Sequence, residues 1–330
     1  MTDDRTDWLA WRRTGIGGSD IAAIAGVEGA FGTPYSVWLS KVTDDEGDET
    51  EPMLWGSLLE NVILDEVERR TGLTLAWRQL RATHPDHPHH LATLDAVGYD
   101  LANHPGGLVE FADGTNIECK NTGDRSWVEP PTRYWAQAQW QMHVTGTRHT
   151  LLVVLHAGTR LEVYDIPRDD DDIAVLVQAA DEFWNTYVIP KVPPRPSWRD
   201  GDAVRRYVGP SDDSIVYASP ELESLVAQLH AARDSAKAAD QYAQALEAQL
   251  VAQIAGAAAV LDQRGQPLAT FKHSRSFDTA TAVSEHPDLV AACQRLDLDA
   301  FKKALGRKAV EDYMRPADSR RLLLPTRKDH

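Results

Sequence analysis

The sequence predicts an α/β fold, because helical and extended patterns interleave along its first roughly 195 residues instead of forming separate blocks. Three observations carry this. Apolar residues recur at helical spacing over 54–70 and again over 134–145. Short apolar runs at 91–94 and 116–120 read as strands, and the continuous apolar run Leu151 to His156 suits a strand covered on both faces. The stretch Pro190-Lys191-Val192-Pro193-Pro194-Arg195-Pro196 marks a boundary or a rigid arm. We therefore expect one domain over 1–195, a linker or arm over 196–218 and a C-terminal extension over 219–330. In the extension, Ser219 can cap and Pro220 can open a long helix whose apolar positions, Leu222, Leu225, Leu229, Ala232, Ala236, Ala239, Ala243, Leu246 and Leu250, step alternately by three and four. That narrow stripe, ended by Gly256, should pack lengthwise on another helix, either of the first domain or of a second subunit. A small hairpin is expected beyond it, turning at Gly265-Gln266-Pro267.

A chain of 330 residues with 42% apolar content can build a sizeable core. Its two cysteines, Cys119 and Cys293, exclude a disulfide framework. The opening MTDDRTDWLA has neither the basic flank nor the apolar run of a signal peptide, no apolar run is long enough for a membrane helix, and mean hydropathy is −0.40. A cytoplasmic protein with no membrane partner is expected. The formal net charge of −16 opposes a polyanionic partner. Distribution matters more than the total, however. Acids are concentrated at Asp44-Asp45-Glu46 with Asp48, Glu49 and Glu51, and at Asp169 to Asp172, which read as solvated runs. Bases gather at Arg12-Arg13, Lys302-Lys303, Arg307-Lys308 and Arg320-Arg321.

The chemistry-bearing signal is Ile117-Glu118-Cys119-Lys120, a strand in which Glu118 and Lys120 share one face and Cys119 takes the other. Upstream, Leu91 to Leu94 leads into Asp95, with Ala96-Val97-Gly98 read as a turn. Two carboxylates holding Mg²⁺ can activate a water and neutralise phosphoryl oxygens, while a lysine orients the nucleophile. Alone, an acid-x-lysine triplet reads more simply as a surface ion pair. Ser19, between the glycines of Gly15-Ile16-Gly17-Gly18 and an apolar helix over 21–25, is either an anion site or an ordinary N-cap. Glu60 falls near the edge of a helical face set by Leu59, Val62 and Ile63, where a solvated glutamate is the simpler reading. Gln139 can donate and accept hydrogen bonds and is placed beside the lysine or a phosphate, whereas Gln137, about 200° around the same helix, should face elsewhere. The histidines His84, His87, His89 and His90 offer imidazoles that bind zinc, but Pro85 and Pro88 interrupt any regular element and only His87 with two neighbours converges easily, so a polar loop before the Asp95 strand is the simpler reading.

Five segments in order resemble one family. Trp8-Leu9-Ala10-Trp11-Arg12-Arg13-Thr14-Gly15-Ile16-Gly17-Gly18-Ser19-Asp20, Gly56-Ser57-Leu58-Leu59-Glu60, Ala92-Thr93-Leu94-Asp95, Glu118-Cys119-Lys120 and the run Gln137 to Gly146 are similar to motifs of YqaJ-like viral recombination nucleases, relatives of phage lambda exonuclease in the PD-(D/E)XK superfamily. The resemblance spans most of residues 8–146. It implies a restriction-endonuclease-like core, a mixed sheet flanked by helices, with a mainly helical C-terminal extension. It further implies a metal centre of Asp95, Glu118 and the Cys119 main-chain carbonyl holding Mg²⁺, or Mn²⁺. Lys120, Glu60 and Gln139 would assist there, while Arg12 and Ser19 would grip a 5′-terminal phosphate. The implied activity is 5′→3′ digestion of double-stranded DNA ends in a bacterial host, on behalf of a phage, leaving a 3′ strand for a single-strand annealing protein. A trimeric ring is implied as well. Two rival readings stay open: a nuclease cutting single-stranded or branched DNA internally, and a DNA-binding assembly protein that has kept the fold without catalysis.

Overall fold

The structure, a computed structural model, describes residues 2–43, 50–102, 110–210, 214–254 and 257–270. The acidic run at 44–49, Gly256 and the basic clusters beyond residue 300 lie outside the described residues. The chain divides into two units, Met1–Gly209 and Pro210–His330.

In the first unit, helices α1 (Thr2–Arg13), α2 (Gly18–Ile24), α3 (Pro34–Val42) and α4 (Glu51–Thr71) precede strands β1 (Thr74–Ala76), β2 (Leu80–Thr83), β3 (Leu91–Leu94), β4 (Ala96–Tyr99) and β5 (Thr115–Thr122). Then come α5 (Thr132–Thr145), β6 (His149–His156), β7 (Arg160–Pro167), α6 (Asp170–Phe183) and α7 (Gly201–Val208). The central sheet runs β1-β4-β5-β6-β7, while β2 and β3 form a separate antiparallel pair. Only β5 and β6 run parallel, with α5 as their crossover, so the sheet is mixed. This is the α/β class that the sequence predicts, with the mixed sheet flanked by helices that its resemblance implies.

Packing follows from strand alternation. Ile117 and Val153 meet Ile63, Leu64 and Val67 of α4 on one face. Leu152 and Val154 meet Tyr134, Ala138 and Met142 of α5 on the other. Coverage from both sides explains why Leu152 to Val154 are all fully buried and why β6 reads as an unbroken apolar run. The inward stripe of α4 differs from the expected one: Val62 is 65% exposed, whereas Ile63, Leu64 and Val67 point in. Glu60, three and four residues before Ile63 and Leu64, therefore lies in line with the buried stripe.

Ala96-Val97-Gly98 is not a turn but part of β4, in which Ala96 pairs with Ile117 and Gly98 with both Leu75 and Thr115. A Cβ at Gly98 would come within 3.0 Å of Leu73, so glycine serves close strand packing here. Asp169 to Asp172 is likewise no free acidic run. The Asp169 carboxylate accepts the N–H groups of Asp171 and Asp172 and caps α6, where the helix dipole favours acids.

Residues beyond the prolines remain tied to this unit. Asp200, 2% exposed, accepts hydrogen bonds from Thr33 Oγ1 and from Ser197 N at 2.7 Å, and Arg199 donates to Phe31 O at 2.8 Å. In the second unit, α8 (Pro220–Ile254) starts where Ser219 Oγ accepts the Leu222 N–H, and it has no buried residue. Strands β8 (Ala259–Leu261) and β9 (Pro267–Thr270) form an antiparallel hairpin. Among the described residues, no helix is long and apolar enough to cross a membrane.

Candidate active site

Asp95 occupies the bend where the chain leaves the β2–β3 pair and enters the central sheet as β4. The register Ala96 to Ile117 continues to place Asp95 beside Glu118. The Asp95 Oδ2 accepts the Cys119 N–H at 2.7 Å, so the two acids share one site. Glu118 and Lys120 extend from the α5 side of β5, paired in register with Leu152 and Val154, and the Lys120 ammonium donates to Glu118 Oε1. Lys120 Nζ also lies 5.5 Å from the Tyr134 ring centroid. Cys119 turns away into the apolar cluster under α4, where burial and the nearby carboxylates raise its thiol pKa, leaving it inert. From α4, Glu60 accepts a hydrogen bond from the Gln79 side chain, and the Gln79 N–H in turn bonds Asp95 O at 3.0 Å. Gln79 holds φ of 55° to do so, a conformation that costs a non-glycine residue about 1–2 kcal/mol. Sequence reasoning missed Gln79, which no local pattern distinguishes.

The glutamine assignment requires correction. Gln139 does not reach the lysine: its Nε2 donates to Pro167 O and its Oε1 accepts the Asp169 N–H, each at 2.8 Å. It is fully buried and ties α5 to the β7–α6 connection. Gln137 and Gln141, one helical turn apart, face the acids instead. Gln137 Nε2 donates to Glu118 Oε1 at 2.7 Å, and Gln141 Nε2 donates to Glu118 Oε2 at 2.6 Å and Thr93 O at 3.1 Å. Gln137 and Gln139 do lie on different faces of α5, but the face that meets the acids is that of Gln137. Gly18 shows why: a Cβ there would lie 3.2 Å from Gln137 Cγ and 3.6 Å from Gln141 Cγ. The glycine-rich turn lets α2 approach α5 along this glutamine face.

Arg12 and Ser19 lie next to the acids. Both line a pocket of about 90 Å³ together with Trp8, Gly17, Thr93 and Gln137, and Gln137 links it to Glu118. The Arg12 guanidinium bonds Ser19 Oγ at 3.1 Å and Asp20 Oδ1 at 3.3 Å. Asp20 is held by Lys41 Nζ at 2.7 Å and accepts the Gly17 N–H at 3.0 Å, so it caps α2 while anchoring Arg12. Ser19 is thus not the N-cap. Asp20 and Lys41 were not singled out from sequence, although Asp20 sits inside the glycine-serine motif.

Electrostatics give the cluster its character. Burial raises the Asp95 carboxyl well above the usual carboxylate range, Glu118 and Glu60 add to the effect, and Lys120 with the Cys119 N–H only partly opposes it. Burial raises Glu60 too, despite its bond from Gln79. Burial works against the Lys120 ammonium, yet Glu118 and Asp95 outweigh it and push its pKa up, so Lys120 is a fixed cation. Three acids facing one ammonium leave a deficit of positive charge, and their hard oxygen donors suit a divalent ion of the Mg²⁺ type.

Residues 7–148 match the YqaJ-like viral recombinase domain. The chain is 32% identical over 194 residues to the uncharacterized protein YqaJ of Bacillus subtilis (strain 168), covering 56% of this chain and 57% of that relative. It thus spans little more than half of that protein's length. Among solved structures, an alkaline exonuclease from Laribacter hongkongensis aligns with a TM-score of 0.45 at 17% identity, over 62% of this chain and 97% of the other. A phage-related exonuclease from Haemophilus somnus 129PT aligns with a TM-score of 0.40 at 13% identity, over 54% and 96%. Residues 7–148, which contain every acid, amine and glutamine of the cluster, are the part of the chain that is similar to the YqaJ-like viral recombinase domain.

Proposed function

We propose that the chain is a metal-dependent deoxyribonuclease that digests double-stranded DNA from a 5′ end and leaves a 3′ strand for an annealing protein. The observation that carries this reading is the meeting of Asp95 with Glu118 and Lys120 inside a YqaJ-like domain. Asp95, Glu118 and the Cys119 main-chain carbonyl would hold Mg²⁺, or Mn²⁺. Such an ion supplies charge neutralisation at the phosphoryl oxygens and acidity for the attacking water.

The protein's own groups have separate tasks. Lys120, kept cationic by its neighbours, orients the water and offsets charge on the phosphoryl group; it is not a proton acceptor. Gln137 and Gln141 fix both oxygens of Glu118. Glu60 is an accessory acid with a raised pKa beside the attacking side of the site. Arg12 and Ser19, in the pocket that Gln137 borders, hold the 5′-phosphate and set which bond reaches the acids.

The test uses purified chain, Mg²⁺ and a linear duplex labelled at one 5′ end, with closed circular DNA in parallel. Stepwise nucleotide release from the linear duplex, abolished in Glu118→Gln and Lys120→Ala with the fold intact by circular dichroism, supports the proposal. Cuts in the closed circle would replace it with the internal-cutting reading. Normal turnover in either variant would refute the site.

A further inference from the structure

The loop between β2 and β3 carries His84, His87, His89 and His90, and the fold brings two more groups to it, His143 of α5 and Asp181 of α6. The rings are stacked: His87 on His90 with centroids 4.6 Å apart and planes 5° from parallel, and His84 on His143 at 4.5 Å. His90 is fully buried. Its Nε2 lies 3.1 Å from Asp181 Oδ1 and its Nδ1 lies 3.0 Å from His143 Nε2, while His89 Nε2 lies 2.7 Å from the same Asp181 oxygen. One ligand atom each from His87, His90 and Asp181 lies within 4.8 Å of the others.

We infer that His87, His90 and Asp181 form a second metal site, for a borderline divalent ion such as Zn²⁺. It shares no residue with the Asp95 cluster and does not depend on the nuclease reading. Two imidazoles and one carboxylate are a donor set for Zn²⁺ and its neighbours, not for Mg²⁺, which prefers all-oxygen surroundings. Tetrahedral zinc bonds of about 2.0–2.1 Å put ligand atoms about 3.4 Å apart, so the three groups need to close by little more than an ångström while the His87 ring turns out of its stack on His90 to aim its lone pair at the ion. With its Nε2 on the ion, His90 donates Nδ1–H to His143, the outer hydrogen bond that ligating histidines require.

The placement gives the ion a purpose. The Ile16 N–H bonds His89 O at 2.7 Å and the Leu91 N–H bonds Ile16 O at 2.9 Å, which straps the histidine loop to the turn leading into Ser19. An ion joining that loop to α6, and through His143 to α5, stiffens the turn from behind. The sequence offers the histidines as zinc ligands, but not Asp181, which lies 91 positions from His90.

The experiment uses the untagged full-length chain, stripped with a chelator, and Co²⁺ as an optical probe. The expected result is the intense visible ligand-field bands of tetrahedral Co²⁺, displaced by Zn²⁺ and unchanged in Glu118→Gln. His87→Gln and Asp181→Asn, at partly exposed positions that tolerate exchange, should each weaken binding about tenfold or more and lose the Zn²⁺-dependent rise in Tm. Three results would overturn the inference: no Co²⁺ uptake by the unaltered chain, binding unchanged in both variants, or loss of the bands in Glu118→Gln.

Discussion

Gln141→Met separates orientation of Glu118, the proposed metal ligand, from stability of the fold. Methionine nearly matches glutamine in volume, so the fully buried site stays filled. The change removes a hydrogen bond to the Glu118 carboxylate, worth about 1.5–3 kcal/mol, and one to Thr93 O, worth about 1 kcal/mol. It also removes Gln141 Oε1, a buried acceptor with no partner whose desolvation costs about 1–3 kcal/mol. These contributions largely cancel, so the net loss of stability should be only about 1 kcal/mol. Glu118, however, loses the donor that fixes Oε2, and the loss of such an outer partner weakens metal binding about 10–100-fold. Gln139→Met should behave in the opposite way. Both of its polar atoms are satisfied, so it should lose about 2–4 kcal/mol, or roughly 5–15 °C in Tm for a unit of this size, with no change in metal response. Urea unfolding without metal and Mg²⁺ titration of DNA digestion read the two quantities separately. If Gln139→Met shifts the metal dependence and Gln141→Met does not, the assignment of the inward face is wrong.

Two further predictions concern buried acids. Because burial and its acidic neighbours raise Asp95, the native state retains a proton that the unfolded chain releases above about pH 3.9, so stability falls as pH rises from there through the folded pKa. Asp95→Asn should remove that slope and make the metal-free protein more stable than the unaltered chain at pH 8, without metal-dependent turnover; equal urea midpoints at pH 8 would contradict this. Asp20 has the opposite sign: burial opposes its ionisation, but Lys41, Arg12 and the Gly17 N–H hold its pKa down, so its contribution is full above about pH 3.9 and lost as pH falls through the folded value. Asp20→Asn should strand the buried Lys41 ammonium at a cost of about 3–5 kcal/mol. In the Asp20→Asn/Lys41→Met double variant the total should be well below the sum of the single costs, and additive costs would show that the pair is not coupled.

The parts of this molecule that could be read from sequence are those encoded by local spacing. Alternation in β5 put Glu118 and Lys120 on one face and Cys119 on the other, and apolar continuity marked β6 as covered on both sides. What remained hidden depends on which neighbour an element meets. Helix α5 is buried on two sides: Tyr134, Ala138 and Met142 face the sheet, while Ala136, Trp140 and Val144 face the other helices. A helical wheel separates Gln137 from Gln139 but cannot say which of these buried faces borders the acids. That is decided by Gly18, which admits α2 to the side of α5 carrying Gln137 and Gln141. The same logic explains Asp95. An acid at the end of an apolar run was visible, but its meeting with Glu118 needs the chain to leave one sheet and join another within a single residue. The glycine-rich motif and the acid-x-lysine triplet, about a hundred residues apart, are therefore one device. The first fixes the glutamines that orient the carboxylate of the second, so substitutions at Gly18 larger than alanine should disturb Glu118 before they disturb the pocket of Arg12 and Ser19.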